Sequence, residues 1–253
     1  WLVTDKDNEF QRLAAMNLNT KKTTYYTSDI PWNVESFNLS EDKKSIVFIT
    51  NEGGLNKMYL MNTGTKAYKE IKNLPIGLIS GARFTKDNQT IFFNQSTAQS
   101  ASDVYQLNIK TAKIERWTES ELGEMQPSDM SVPKFIEWKS FDDLKISGFY
   151  YPASPKKKRK RPVIIMIHGG PEGQSMASFL DSNNFYTSEM GVSLVYPNVR
   201  GSSGFGKTYL EKDNGFLRED SAKGIGALLD GIAKQPELDK DKIMIKGRSY
   251  GGY

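Results

Sequence analysis

Cysteine is missing from the 253 residues, and histidine occurs once, at position 168. No disulfide framework can therefore hold the chain. One histidine without cysteine makes zinc a poor fit, no cluster of acidic residues and histidine has metal-ligand spacing, and no metal or other cofactor is expected. Long apolar runs are also lacking: none approaches the roughly 18 residues of a membrane helix, so no membrane partner is expected. With 38 % hydrophobic and 25 % charged residues, the composition is that of a globular chain.

The net charge of +4 is local, because residues 156–161 (Lys-Lys-Lys-Arg-Lys-Arg) carry six cations and leave the remainder slightly acidic. Such a run has the composition of a nuclear-localisation or nucleic-acid patch. Pro155 and Pro162 bracket it between two predicted strands, and no aromatics interleave it to stack on bases. It reads as a solvated surface loop, and no nucleic-acid partner is expected.

Position 1 is Trp, with no initiating Met or signal-peptide pattern. At the other end, a short apolar strand at 242–246 runs into Gly247-Arg248-Ser249-Tyr250-Gly251-Gly252-Tyr253. Both ends lead us to expect an internal piece of a longer protein, whose compartment these residues do not give. The lack of cysteine suits a reducing cytoplasm and a periplasm alike.

The first half repeats. Residues 39–48 lie over 84–93 at a spacing of 45, and Met16-Asn17, Met61-Asn62 and Leu107-Asn108 recur at 45 and 46, each before a polar turn with Thr20, Thr65 or Thr111. One unit reads as four short strands, at 32–39, 45–50, 57–61 and 67–71. A period near 45 built of short strands predicts propeller blades; a small antiparallel sandwich is the bland alternative. Two complete units and a partial first one do not close a ring. Trp32, Trp117 and Trp138 are expected to pack on core or blade faces.

The second half changes period. A hairpin is predicted at 133–140 and 144–151 around Asp142-Asp143, then apolar strands at 163–167, 192–196 and 243–245. Ile225, Leu228, Leu229 and Ile232 recur at helical spacing before the last of these. Continuous apolar strands alternating with a helix predict a parallel α/β sheet. Glu219 and Asp220 suit the helix N-terminus as capping groups, and Gly224, Gly226 and Gly231 are expected to mark close packing on the sheet. The boundary between the two parts falls near residue 130.

A bare G-x-S-x-G arises by chance in about one of ten chains of this size. Here Gly247-Arg248-Ser249-Tyr250-Gly251 directly follows an apolar strand, as a nucleophile elbow requires: small neighbours let a tight, strained turn lift the serine hydroxyl above the sheet. A second motif, His168-Gly169-Gly170-Pro171, follows the strand at 163–167. Glycines without side chains let backbone N–H groups approach the oxyanion of a tetrahedral intermediate. Gly169 or Gly170 is the candidate for one donor, and the Tyr250 N–H for the other. His168 precedes Ser249, whereas this architecture orders its triad Ser, Asp or Glu, then His. We therefore expect His168 to orient the glycine loop and not to act as base.

His168-Gly-Gly-Pro171, residues 198–206 (Asn-Val-Arg-Gly-Ser-Ser-Gly-Phe-Gly) and 247–253, in this order behind the repeats, resemble the prolyl oligopeptidase family of serine peptidases, on its acylaminoacyl-peptidase side. The resemblance implies a partial β-propeller over 1–130. It implies an α/β-hydrolase domain over 131–253 that stops just after the elbow. It further implies Ser249 as nucleophile, short peptides as substrates and a bracing role for Arg200. The family's triad Asp and His lie downstream of the nucleophile, beyond Tyr253. The segment alone is therefore expected to be inactive, because a serine without its base loses about a million-fold in turnover. It is also expected to aggregate through the apolar edge at 243–245. The rest of the catalytic domain is an expected partner, and self-association is left open. Two other readings stand beside the peptidase: a carboxylesterase, since elbow and oxyanion loop serve esters equally well, and a propeller-borne interaction protein with a dead hydrolase domain.

Overall fold

The structure, a computed structural model, describes residues 1–154, 159–170 and 172–253. Pro155, Lys156, Lys157 and Lys158 of the basic stretch, and Pro171 of the glycine motif, lie outside the described residues. Two compact units emerge, Trp1–Glu121 with Gly204–Gly206, and Leu122–Ser203 with Lys207–Tyr253.

The first unit consists of three antiparallel meanders. Strands β1 (Leu2–Thr4), β2 (Arg12–Met16) and β3 (Thr23–Tyr25) form the first, and β4 (Asn33–Leu39), β5 (Ser45–Asn51), β6 (Asn56–Asn62) and β7 (Tyr68–Glu70) the second. The third contains β8 (Gly77–Phe84), β9 (Thr90–Thr97), β10 (Ser100–Asn108) and β11 (Ile114–Arg116). Successive strand side chains point to opposite faces, and β5 uses both. Its Ile46 and Phe48 join Leu13, Val34 and Met61 in one core, while Val47 and Ile49 join Met58, Ile91, Phe93 and Leu107 in the next. The meanders thus stack as propeller blades do, face on face, and close no ring among the described residues.

The sequence repeat has a hydrogen-bonded counterpart. The side-chain oxygens of Asn17, Asn62 and Asn108 each accept two backbone N–H groups, from Asn19 and Thr20, Gly64 and Thr65, and Lys110 and Thr111, at 2.9–3.1 Å. Lys21, Lys66 and Ala112 follow at φ 59°, 65° and 57°. An Asx turn closed by one left-handed residue is local chemistry, so the same short sequence builds it three times. In the matching turns at 40–45 and 85–90, Asp42 and Asp87 accept from Ser40 and Thr85 at 2.7 and 2.5 Å.

The second unit contains one five-stranded sheet of order β12-β13-β15-β14-β16. Its strands are β12 (Lys134–Lys139), β13 (Lys145–Tyr151), β14 (Arg161–Ile167), β15 (Ser193–Asn198) and β16 (Leu238–Gly247). The hairpin β12/β13 and the β13/β15 pair are antiparallel, and β14 runs parallel to both β15 and β16. After a single turn, α1 (Lys207–Leu210), comes the long helix α2 (Arg218–Ala233), whose Leu228 and Ile232 pack on Val163, Ile165 and Val195. Strand β16 is the sheet's edge, with Met244 and Ile245 about half exposed.

Two expectations are corrected and one holds. Gly224 does pack closely, accepting from Trp138 Nε1 at 3.3 Å, but a Cβ on Gly226 or Gly231 would meet nothing within 4 Å, because each borders an open cleft, Gly226 beside Ile167 and Ile245 and Gly231 beside Trp138 and Val195. Glu219 and Asp220 lie in the first turn of α2, as expected, where the chain enters the helix from a 3₁₀ turn through Leu217. Their charges still face the positive end of the helix dipole, and Asp220 also pairs with Lys223 at 2.7 Å. Trp117 is 62 % exposed and stands perpendicular to the Phe92 ring, whereas Trp32 and Trp138 pack against cores.

Candidate active site

Strands β14 and β16 run side by side, with Ile167 opposite Gly247, so the two motifs leave the sheet at the same end. Beyond Gly247 the chain makes a 3₁₀ turn over Ser249–Gly252, entered from extended Arg248. Ser249 sits at φ 57°, a left-handed conformation costing a non-glycine residue about 1–2 kcal/mol. The glycines around it are sterically required. A Cβ on Gly247 would overlap the Gly251 carbonyl, and one on Gly251 would overlap the Ile167 carbonyl and stand 2.7 Å from that of His168. The bend thus rests directly on the end of β14. Its side chain outward, Ser249 is exposed.

In a 3₁₀ turn the first N–H groups have no partner within the turn. Here the turn's hydrogen bonds come from Gly251 N–H to the Arg248 carbonyl and Tyr253 N–H to the Tyr250 carbonyl, both 3.1 Å, and use neither the Ser249 nor the Tyr250 N–H. Facing the serine is Gly169: a Cβ there would lie 3.0 Å from the Arg248 carbonyl oxygen, 3.2 Å from Ser249 Cβ and 3.7 Å from Ser249 Oγ. Gly170 adopts φ 131°, which bends the loop back so that a Cβ would lie 2.6 Å from the Glu172 and Gly173 nitrogens.

His168 turns away from the serine. Its Nδ1 lies 2.9 Å from the Gly169 carbonyl oxygen and its Nε2 2.8 Å from Ser202 Oγ. A nitrogen facing a carbonyl must carry the proton; at the other nitrogen, Ser202 Oγ stands between His168 Nε2 and the Val199 carbonyl oxygen, to which it donates at 2.6 Å. Burial pushes the imidazole below its usual range, against a smaller opposite effect of the Gly169 contact. Both ring nitrogens are thereby engaged in holding the glycine loop against residues 199–202.

Arg200 is 3 % exposed, ion-paired to Asp142 and stacked over Phe141 at 4.8 Å. It draws the Asp142 carboxyl below the usual carboxylate range. Three neighbours in the same loop tie the two motifs together. Ser202 holds His168, Ser203 N–H donates to the Gly173 carbonyl at 2.9 Å, and Gly201, at φ 85°, leaves room for the Asp213 carboxylate that accepts from Tyr250 Oη at 2.7 Å. Sequence reading singled out Arg200 here and missed Gly201, Ser202 and Asp213. The glycine and serines beside Arg200 were the available signal; Asp213, in a polar stretch, offered none. A cleft of about 400 Å³ opens beside the bend, between Tyr151, Met176 and Phe179 on one side and His168, Gly247 and Arg248 on the other.

A sequence model of the prolyl oligopeptidase family matches residues 178–253. Over its whole length the chain is 23 % identical to dipeptidyl-peptidase 5 of Porphyromonas gingivalis, and spans 37 % of that protein. Over 39 % of its length it is 33 % identical to acylamino-acid-releasing enzyme 1 of rice, Oryza sativa subsp. japonica, covering 12 % of it. Among solved structures, prolyl oligopeptidase B from Galerina marginata superposes with a TM-score of 0.85 at 16 % identity, over 99 % of this chain and 35 % of that one. A puromycin hydrolase gives 0.84 at 17 %, over 98 % and 39 %. The fold is therefore shared with the prolyl oligopeptidases nearly end to end, and the chain covers between 12 and 39 % of the length of these proteins. The family pattern over residues 178–253 and the alignment along the whole chain point the same way: this chain is similar to members of the prolyl oligopeptidase family.

Proposed function

We propose that the protein containing this chain is a serine peptidase that cleaves short peptides through an acyl-enzyme on Ser249. Residues 1–130 would supply blades of its propeller and 131–253 the first part of its α/β-hydrolase domain. The observation carrying this reading is the exposed Ser249 hydroxyl, held at positive φ on the strand end beside Gly169.

In the reaction, Ser249 Oγ attacks the scissile carbonyl carbon, its proton passes to a base, and negative charge builds on the carbonyl oxygen. The Tyr250 N–H, with that of Gly169 or Gly170, would receive this charge. Each such donor is worth about 2.7–4 kcal/mol in the transition state. Collapse of the intermediate expels the amine, and water then releases the acyl group. His168, committed to Ser202 and the Gly169 carbonyl, does not serve as the base. Arg200 acts as a brace in this reading, since its guanidinium is buried against Asp142 and Phe141.

The test is Ser249→Ala in the full-length protein, assayed with a peptide anilide, a nitrophenyl ester and a fluorophosphonate probe. Loss of anilide turnover together with loss of labelling is expected. Anilide hydrolysis that survives the substitution, or turnover of the ester alone by the unsubstituted protein, would end the peptidase reading.

A further inference from the structure

Behind the bend lies a buried charge that the chemistry above does not use. Asp213 is 4 % exposed. One carboxylate oxygen accepts from Tyr250 Oη at 2.7 Å, while the other is buried with no hydrogen-bond partner among the described residues. The carboxylate fits only because residue 201 is glycine, since a Cβ there would overlap it. On the far side, the Arg218 guanidinium lies over the rings of Tyr250 and Tyr253, at 4.6 and 4.3 Å from their centroids.

A half-satisfied buried carboxylate costs stability. Packing alone would be served as well by a neutral side chain of similar size. What the carboxylate adds is direction: it fixes the phenol of the residue, next to Ser249, whose backbone N–H the turn's hydrogen bonds leave unused. With its oxygen held by Asp213 and its ring covered by Arg218, Tyr250 has little freedom to rotate its own peptide plane.

Taking Ser249 as the nucleophile, we propose that Asp213 is a positioning residue for the acyl-transfer step. Through the Tyr250 hydroxyl it sets the orientation of the Tyr250 N–H, and so of one oxyanion donor. It touches neither substrate nor the reacting atoms. Its effect belongs to the transition state, because the donor is called on when charge develops on the carbonyl oxygen.

Four variants of the full-length protein test this: Tyr250→Phe, Asp213→Ala, Asp213→Asn and the double Asp213→Ala/Tyr250→Phe. Rates are counted per folded active site by fluorophosphonate titration. Displacing a reacting group by about 1 Å can cost a hundredfold, so Tyr250→Phe and Asp213→Ala should each lower kcat about 10- to 100-fold while KM moves less than about threefold. Asp213→Asn, which still offers an oxygen to the phenol, should recover most of kcat. The double variant should be no slower than the slower single one, since both remove the same hydrogen bond. If Asp213→Ala does not fold, Tyr250→Phe against the unsubstituted protein carries the comparison. A kcat within twofold in Tyr250→Phe, or losses that multiply in the double variant, would overturn the proposal. Ser249→Ala separates the two readings: turnover surviving it removes the nucleophile assignment, whereas its loss beside a normal Tyr250→Phe removes only the role of Asp213.

Discussion

Gly169 and Ser249 approach so closely that a methyl group on the glycine would sit 3.2 Å from the serine Cβ and 3.7 Å from its Oγ. Gly169 does not occupy the left-handed region, unlike Gly170 at φ 131°. Alanine is therefore tolerated by the backbone at 169, and its methyl group would press on the place a substrate carbonyl needs. Gly169→Ala, whose methyl would stand 3.0 Å from the Arg248 carbonyl oxygen, is expected to cost less stability than Gly170→Ala and to lower kcat/KM at least tenfold. Gly170→Ala, which meets two backbone nitrogens at 2.6 Å, should instead destabilise by about 1–3 kcal/mol. Denaturant titration beside steady-state kinetics distinguishes them, and a stability loss at 169 as large as that at 170 would contradict the contrast.

Ser249 itself is strained, at φ 57°. Glycine adopts this conformation freely, with part of the gain returned as unfolded-chain entropy. Ser249→Gly should be more stable than Ser249→Ala by about 1 kcal/mol, with turnover lost in both. Were the glycine variant the less stable of the two in urea unfolding, the bend would not hold the strain ascribed to it.

Features whose chemistry is local were the legible ones. Asn17, Asn62 and Asn108 each hydrogen-bond their own turns, so the repeat was visible and gave the blades. The apolar residues of β14 and the helical spacing of Leu228 and Ile232 gave the second sheet and α2. Ser249 and Gly169 were singled out because small residues at fixed offsets from a strand end have few other uses, and the fold brings the two together. What was not legible depends on long-range approach. The Tyr250–Asp213 bond spans 37 residues, and nothing near Asp213 marks it as buried. Glycines within α2 carry no label of which face they occupy, which is why Gly224 packs closely while Gly226 and Gly231 do not.

In the third meander, Asp103 gathers the chain around one buried carboxylate. It is 1 % exposed and accepts from Arg116 at 2.6 Å, Thr118 Oγ1 at 2.9 Å and the Ser120 N–H at 2.8 Å, with Ser100 as a further donor. Burial pushes this carboxyl up, but the hydrogen bonds from Ser100, Thr118 and Arg116 together outweigh it and hold the group below its usual range. Asp103→Ala strips four donors and leaves Arg116 unpaired, so a loss of about 3–5 kcal/mol is expected. Because the folded-state value is depressed, this stability is present above the ordinary Asp range and disappears as pH falls through the folded value. Urea unfolding from pH 6 downward should show an acid-induced loss that Asp103→Asn flattens; a variant with the same pH slope as the parent would refute the assignment.

His168 gives the complementary signature at higher pH. Its folded-state value lies below the ordinary 6.5 because the ring is desolvated. In the unfolded chain the ring protonates as pH drops through about 6.5, while in the folded chain it stays neutral to lower pH. The unfolded state therefore binds more protons in this window, and stability must fall as pH is lowered from about 6.5 toward the folded value. Above 6.5 both states are neutral and the contribution is constant. His168→Gln should remove that slope between about pH 6.5 and 5, before the carboxylates begin to titrate. Fluorophosphonate labelling of Ser249 reports on the glycine loop and should respond to pH differently in H168Q than in the parent protein. A His168 ring proton resonance that titrates at or above 6.5 in the folded protein would show the ring to be solvated, and the pH window would vanish with it.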